Sequence, residues 1–189
     1  MRRLAVYCGS SMGADPAFED TARRLGEEMA RRGIDLVYGG GHRGLMGVVA
    51  DSALAAGGRA YGVIPKALVD LEVAHTGLTE LHTVTSMHER KAKMTELTDA
   101  FIAIPGGIGT LDELFEAWTW NALGYHSKPF CLLNVAGFWD GLIGFMDHVT
   151  QSGFMSAERR AQLLVADGIG EAIEKLDAAI KAAETRMVW

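Results

Sequence analysis

The stretch Pro105-Gly106-Gly107-Ile108-Gly109-Thr110-Leu111-Asp112-Glu113 decides the predicted fold of this chain. It follows the apolar run 100–104, which is typical of a buried parallel strand, and it precedes residues 114–118, whose spacing is helical. Its glycines therefore lie in a strand-to-helix turn, where the missing Cβ atoms let the backbone approach a ligand closely. A helix that begins near Gly109 or Thr110 directs free N–H groups and a positive dipole end at that ligand. The turn predicts a phosphate site, with Glu113 close enough to reach a sugar attached to the phosphate.

Two better-known phosphate motifs do not describe this turn. It is not a P-loop, because no Gly-Lys-Ser/Thr follows the glycines. It is not the usual dinucleotide fingerprint, because the glycine spacing differs and this is not the first strand-to-helix turn. A tight connection without a ligand remains the structural alternative.

Strands and helices alternate along the whole chain. The predicted strands are residues 4–8, 34–38, 59–64, 81–85, 100–104, 129–134 and 163–166. The predicted helices are residues 15–32, 48–56, 86–98, a helix that starts near 109, 138–152 and 168–183, whereas residues 66–80 are predicted to be a loop. This alternation predicts an α/β fold with a doubly wound parallel sheet and helices on both faces, in a single domain of residues 1–189. Ligands bind such sheets at the carboxyl ends of the strands, where three turns rich in Gly or Ser outline a nucleotide-sized cleft.

The composition of the chain limits which ligands it could bind and in which cellular compartment it could function. The chain has 189 residues, 49% of them hydrophobic, which suits one globular domain with a substantial core. Its net charge of −6 argues against nucleic-acid polymers, which require a basic stripe, whereas a small anion needs only a local positive site. Cys8 and Cys131 fall in apolar strand-like runs, which favours buried free thiols of a cytoplasmic protein over a disulfide between them. The apolar run after the basic N-terminus is too short for a signal peptide, and none approaches a membrane span of ~20 residues.

The predicted helix 86–98 carries two cations on its apolar side. Ser86 and Glu89 form a capping box that marks its start. At about 100° per residue, Arg90 and Lys91 fall in the same stripe as the methionines 87 and 94. A cation in such a stripe is costly unless it is paired. The two side chains therefore either face an anionic ligand in the cleft, or extend out of the stripe, or pair with an acid of the fold.

Trp120 is the unusual residue of the next helix. It falls on the side of Glu113 and Glu116, away from the core face formed by Leu111, Leu114, Phe115, Trp118 and Ala122. An indole on a polar face indicates a ligand pocket or a subunit contact. Cover by a neighbouring helix is an equal alternative.

Three motifs together resemble those of the LONELY GUY (LOG) family. Residues 105–113 match its PGGxGTxxE motif, residues 86–94 resemble its MHxRK segment, and residues 38–47 resemble its GGGxxGLMG turn. The motifs stand in the family's order, and the resemblance covers residues 3 to 180. It implies a Rossmann-like homodimer with the activity of a cytokinin riboside 5′-monophosphate phosphoribohydrolase. Many members carry the older label lysine decarboxylase, which the family's chemistry does not support.

The resemblance also assigns roles to individual residues. The family's catalytic pair maps to Arg90 and Glu113, which are 23 positions apart (113 − 90) as in the family. Asp112 stands where many members carry a second Glu, and the loop around Glu72 differs from the plant members. The implied substrate contacts are Glu72, Lys91, Gly107, Ile108, Gly109, Thr110, Leu111, Asp112 and Thr119.

The implied substrate is a nucleoside 5′-monophosphate, and the implied products are the free base and ribose 5-phosphate. No cofactor or metal is expected, because no His/Cys/Asp cluster has ligand spacing in the sequence and the six histidines are scattered. Two other functions remain open at this stage. One is a nucleotide-binding regulatory or carrier module without turnover, and the other is a nucleosidase with a broader range of purine or pyrimidine monophosphates.

Overall fold

A computed structural model describes residues 1–69 and 74–186 of the chain. Within them, the strands form one seven-stranded sheet in the order β4-β3-β2-β1-β5-β6-β7, and every pair of neighbours is parallel. The predicted α/β class and the doubly wound parallel sheet are therefore confirmed. The strand order reverses between β1 and β5, which is where such sheets bind ligands.

The bounds of the elements agree closely with the prediction. The strands are β1 (Arg3–Tyr7), β2 (Asp35–Tyr38), β3 (Ala60–Pro65), β4 (Glu80–Val84), β5 (Ala100–Ala103), β6 (Phe130–Leu133) and β7 (Leu163–Ala166). The helices are α1 (Pro16–Arg31), α2 (Gly44–Ala55), α3 (Met87–Leu97), α4 (Ile108–Ala122), α5 (Asp140–Gln151), α6 (Ala157–Ala161) and α7 (Ile169–Arg186). Short 3₁₀ turns occupy Lys66–Leu68 and Val135–Gly137.

The two faces of the sheet bury separate hydrophobic clusters, because successive strand residues point to opposite sides. On β1, Leu4 and Val6 join the cluster formed with α1, α2 and α7. Ala5 and Tyr7 join the other cluster, which includes Met94 of α3, residues of α4 and Met146 of α5. The helices that carry Arg90 and Glu113 therefore lie on the same face of the sheet.

The turns at the carboxyl ends of β1, β2 and β5 touch one another. The N–H of Gly9 donates to the carbonyl oxygen of Pro105 at 3.1 Å, and the N–H of Met46 donates to the carbonyl oxygen of Gly9 at 3.4 Å. The turn after β1 is thus bonded to the turns on either side of it. These bonds bring the glycine-rich segments predicted from the sequence to one edge of the sheet.

Three details differ from the predicted elements. Helix α2 begins at Gly44 rather than Val48, because the glycines of its turn continue directly into the first helical turn. The short helix α6 was not predicted, since five residues give too little periodicity, although Ser156 caps it through the N–H of Arg159 at 3.2 Å. The segment predicted as the loop 66–80 begins with a 3₁₀ turn and later contains an isolated bridge between Gly41 and Ala74.

Both cysteines are buried and free, as predicted. Burial raises the pKa of both thiols, in the case of Cys131 to about 12, so neither is a ready nucleophile at neutral pH. No helix among residues 1–69 and 74–186 has both the length and the apolar character needed to cross a bilayer.

His126 gives the fold an expected sensitivity to acid. Burial, and then the nearby charge of Lys128, lower the pKa of His126 from 6.5 to about 4. Between pH 6.5 and 4 the unfolded chain therefore binds more protons at this residue than the folded chain does. We expect the free energy of unfolding to fall as the pH drops through this window.

Urea unfolding at pH 7 and pH 4.5 measures this effect. His126→Gln should make the difference in unfolding free energy between the two pH values smaller than in the unsubstituted chain. His148→Gln, at an exposed position of α5, is made alongside as the matched control for the substitution itself. An equal pH dependence in the chain with and without His126→Gln would contradict the assignment.

Candidate active site

In the glycine turn after β5, one glycine packs tightly against neighbouring atoms, whereas two others border open space. A Cβ added at Gly106 would lie 2.8 Å from the backbone N of Gly9 and 2.1 Å from Oγ1 of Thr110. A Cβ added at Gly107 or Gly109 would have no described atom within 4 Å. Gly106 is therefore required by packing, whereas Gly107 and Gly109 border open space at the first turn of α4.

The other residues of the motif divide between the core and the surface. Thr110 is buried under the turn, and Leu111 packs against the hydrophobic cluster of this face. Ile108 is 86% exposed beside the opening. The turn thus presents backbone N–H groups and one apolar side chain outward, which is the arrangement of an anion site at a helix N-terminus.

Arg90 is buried on α3, at 4% exposure, as its place in the apolar stripe predicted. Ser86 begins the helix by accepting a hydrogen bond from the N–H of Glu89 at 3.1 Å. The guanidinium then donates to two backbone carbonyl groups, from Nε to the carbonyl oxygen of Val63 at 3.1 Å and from Nη2 to that of Gly39 at 3.0 Å. The position of the guanidinium is fixed by the backbone, because one acceptor lies in β3 and the other belongs to the residue that follows β2.

The charges of Arg90 and Glu113 act on the same group, the hydroxyl of Tyr7 at the carboxyl end of β1. Burial, then the charges of Glu113 and Glu116, raise the pKa of Tyr7, and the charge of Arg90 opposes them. Glu113 also raises the pKa of Cys8, after burial. The two residues that the sequence resemblance paired, 23 positions apart (113 − 90), are thus brought to the same strand end by two different helices.

Lys91 lies between two carboxylates of α4. Its Nζ is 2.8 Å from Oδ2 of Asp112 and 3.0 Å from Oε2 of Glu116. Of the sequence-based alternatives for this cation, pairing with acids of the fold is the one observed. Burial lowers the pKa of Lys91, but hydrogen bonds to Asp112 and Glu116 outweigh burial and leave that pKa above its ordinary value.

Two predicted substrate contacts, Glu72 and Thr119, stay predictions. Glu72 lies outside the described residues. Thr119 is exposed on α4, about 9 Å along the helix axis from Glu113 and about 120° around it. Within one chain, Thr119 and Glu113 therefore point in different directions from α4.

A cluster of His42, Asp51 and His75 was missed in the sequence, where these residues belong to separate segments. Their potential ligand atoms lie within 4.8 Å of one another, although the three residues do not have ligand spacing in the sequence. Nδ1 of His75 accepts a hydrogen bond from the N–H of Gly77 at 3.0 Å, and its Nε2 lies 2.9 Å from Oδ1 of Asp51. Nε2 therefore carries the proton and donates to Asp51, which leaves this imidazole no lone pair for a cation. The hydrogen bond between His75 and Asp51 connects the segment that contains His75 to α2.

Trp120 is half-buried and lines a groove on the outer side of α3 and α4. The groove is formed by Ala92, Thr95, Glu96, Trp120, Tyr125, His126 and Lys128. Its residues are distinct from the glycine turn and from Arg90. Trp120 therefore lies in a surface groove that is separate from the predicted phosphate site.

The sheet order and the glycine turn at its switch point define a Rossmann-like α/β protein. Residues 46–176 match the family described as "Possible lysine decarboxylase", which is more than half of the chain. The chain belongs to this family, the LOG family that its motifs resemble.

Similar proteins are found along the full length of the chain. It is 46% identical over 188 residues to the cytokinin riboside 5′-monophosphate phosphoribohydrolase LOG of Oryza sativa, covering 100% of this chain and 78% of that protein. It is 43% identical over 191 residues to the enzyme LOG3 of Arabidopsis thaliana, covering 100% and 89%. Among solved structures, the molybdenum cofactor carrier protein of Chlamydomonas reinhardtii has a TM-score of 0.72 at 19% identity, with 95% and 98% of the two chains covered. That likeness shows the fold alone.

Proposed function

We propose that this protein hydrolyses the N-glycosidic bond of cytokinin riboside 5′-monophosphates, and of AMP, to release the free base and ribose 5-phosphate. One observation carries the proposal beyond the family membership. The charges of Arg90 and Glu113 converge on the carboxyl end of β1, beside a helix N-terminus with open space in front of it. A phosphate site next to a carboxylate and a guanidinium suits a phosphorylated sugar whose bond is to be cleaved.

The 5′-phosphate docks on the first turn of α4. Gly107, Gly109 and Thr110 offer backbone N–H groups there, and the helix dipole favours the phosphate charge. Ile108, Leu111 and Asp112 complete the turn that shapes this site. Docking the phosphate fixes the ribose, so binding energy far from C1′ serves the reacting bond.

The reaction passes through a sugar with oxocarbenium character, as in glycoside hydrolysis generally. The bond from C1′ to the base nitrogen breaks, its electron pair leaves with the base, and the oxygen of water adds to C1′. Glu113 stabilises the cationic sugar and orients the attacking water. Arg90 positions the substrate and assists departure of the base, while the proton released by water is taken up by the base.

A product assay tests the proposal. The protein is incubated with AMP and with isopentenyladenosine monophosphate, and free base and ribose 5-phosphate are separated by chromatography. Release of both products supports the hydrolase, and the ratio of kcat/KM for the two substrates measures the preference for a prenylated base. Adenosine should react far more slowly than AMP, because it lacks the phosphate. Binding of AMP without release of base would support a carrier, and equal rates on adenosine and AMP would contradict the docking argument.

Alanine substitutions at two glycines should distinguish a loss of phosphate binding from a loss of stability. Gly109→Ala is expected to keep or raise the melting temperature, because Ala favours a helix by about 1 kcal/mol over Gly. It should nevertheless raise KM for AMP, because its methyl group enters the open space at the first turn of α4. Gly106→Ala should instead destabilise the fold by about 1–3 kcal/mol, because its Cβ meets backbone. Thermal melts and steady-state kinetics measure both; an unchanged KM in Gly109→Ala would count against docking at this turn.

We further propose that the protein acts as a homodimer in the cytoplasm. Thr119 is exposed on α4 and points in a different direction from Glu113, which suits a contact with the substrate bound by a second copy. Leu123 and Tyr125 leave large apolar surfaces exposed at the end of the same helix, which suits a subunit contact. Buried free thiols are in keeping with a reducing compartment. Light scattering of the purified protein measures its mass in solution, and a monomer that is fully active would contradict the dimeric site.

A further inference from the structure

The ammonium group of Lys91 is enclosed by two acids of the neighbouring helix. Its side chain is 12% exposed, and its Nζ lies 2.8 Å from Asp112 and 3.0 Å from Glu116. The exposed fraction of the side chain is 53% for Asp112 and 19% for Glu116. The Glu116 half of the cluster is therefore well shielded from water, where an ion pair is stronger than on an open surface.

The charge of Lys91 is already compensated in this arrangement. Two carboxylates surround one ammonium group, so the cluster of the three side chains carries a net negative charge. A phosphate that approached Nζ would meet both carboxylates, which are within 3.0 Å of the same atom. Attraction to Lys91 would then be offset by repulsion from Asp112 and Glu116. This makes Lys91 a poor phosphate ligand, although it follows Arg90 directly in the chain.

The same contacts join the two helices of the proposed catalytic pair. Lys91 follows Arg90 on α3, whereas Asp112 precedes Glu113 on α4 and Glu116 lies one turn beyond it. Arg90 is itself bonded to the backbone in β3 and just after β2, so α3 is held against the sheet at this point. The ion pairs of the next residue, Lys91, therefore link α4, which carries Glu113, to α3.

We propose that Lys91 is a positioning residue, which holds α4 against α3 through Asp112 and Glu116 and does not bind the substrate phosphate. The inference rests on the proposed function, because its effect on turnover is read from base release. Lys91→Met should lower kcat about 10- to 100-fold, the loss expected when catalytic groups shift by about 1 Å. The dissociation constant of AMP should stay the same, because no phosphate contact is lost.

Isothermal titration with AMP measures the binding half of this prediction. It is done in the Glu113→Gln background, so that turnover does not consume the ligand. Lys93→Met is the matched control, because Lys93 lies on the same helix and pairs with Glu96 at 3.0 Å on its exposed side. Weakening of AMP binding about 10-fold or more by Lys91→Met alone would mean a phosphate contact and would overturn the proposal.

A double-mutant cycle measures the positioning half. The variant Asp112→Asn/Glu116→Gln should lower kcat about as much as Lys91→Met does. Adding Lys91→Met to that variant should cost nothing more, because both changes remove the same interaction. If kcat of the triple variant fell again by the full factor seen for Lys91→Met alone, Lys91 would act on something other than these acids. Lys91→Arg should restore most of kcat, since it keeps a cation between the carboxylates.

The outcomes separate this inference from the proposed function and from misfolding. A wild-type protein that releases no base from either monophosphate would defeat the proposed function, and the titration would still decide whether Lys91 binds phosphate. An active wild type with unchanged kcat in Lys91→Met would defeat only the positioning role. Melting temperatures are measured for every variant, and a loss of kcat at 25 °C counts only where the variant remains folded at that temperature.

Discussion

Glu113→Gln is expected to lower kcat for base release about 100- to 10,000-fold without unfolding the protein. Glutamine has nearly the shape of glutamate and is an equally good helix former, so α4 should be preserved. It lacks the negative charge, which acts at the carboxyl end of β1 and raises the pKa values of Tyr7 and Cys8 after burial. Without that charge, the cationic sugar of the transition state loses its stabilising partner and the water loses its acceptor. Steady-state kinetics with AMP, together with a melting curve, measure the effect.

The size and kind of loss would distinguish the roles of this carboxylate. A fall in kcat at constant KM means that Glu113 acts in the transition state, whereas a rise in KM at constant kcat means that it only holds the ribose hydroxyls. Glu174→Gln is the matched control, because Glu174 is an exposed glutamate on α7, which packs against the opposite face of the sheet. Wild-type values of both kcat and KM in Glu113→Gln would remove Glu113 from the mechanism.

The fold was predictable from the sequence because its signals are local. Each buried strand is a short apolar run, and each helix shows its own period, so the alternation itself implies a parallel sheet with helical crossovers. The burial of Arg90 was also predictable, since a helical wheel gives the direction of a side chain. The same wheel does not show which element the side chain meets. It therefore left the choice between a ligand and an acid of the fold open for Lys91.

The contacts between distant segments were not predictable. Asp112 and Glu116 belong to another helix, and nothing in the local pattern of α3 points to them. His42, Asp51 and His75 come from a turn, a helix and the segment after a loop, so their meeting depends on the packing of three elements. The start of α2 was misplaced because Gly has low helix propensity, yet the tight turn of residues 39–44 leads straight into the helix. Such features depend on tertiary structure.

Arg90→Lys is expected to lower kcat about 100- to 1000-fold, although it keeps the positive charge. Lysine is a single point of charge and cannot donate to Val63 and Gly39 in the fixed directions of a guanidinium. The group that faces the substrate would therefore lose its orientation. Leaving two buried carbonyl oxygens without these donors should also cost about 1–3 kcal/mol of stability each, so the melting temperature must be measured with the kinetics.

Gly39→Ala tests the position of Arg90 while the arginine itself is retained. A Cβ at Gly39 would lie 2.1 Å from Nη2 of Arg90, so the guanidinium must move from the carbonyl oxygen to which it now donates. We expect kcat to fall in the same direction as in Arg90→Lys, by a smaller factor, because the charge stays near the site. Gly144→Ala on α5 is the matched control, since a Cβ there meets no described atom within 4 Å. If Gly39→Ala and Arg90→Lys both turned over AMP at the wild-type rate, the guanidinium would have no part in the reaction. If only Arg90→Lys lost activity, its chemical identity would matter more than the place where Gly39 holds it.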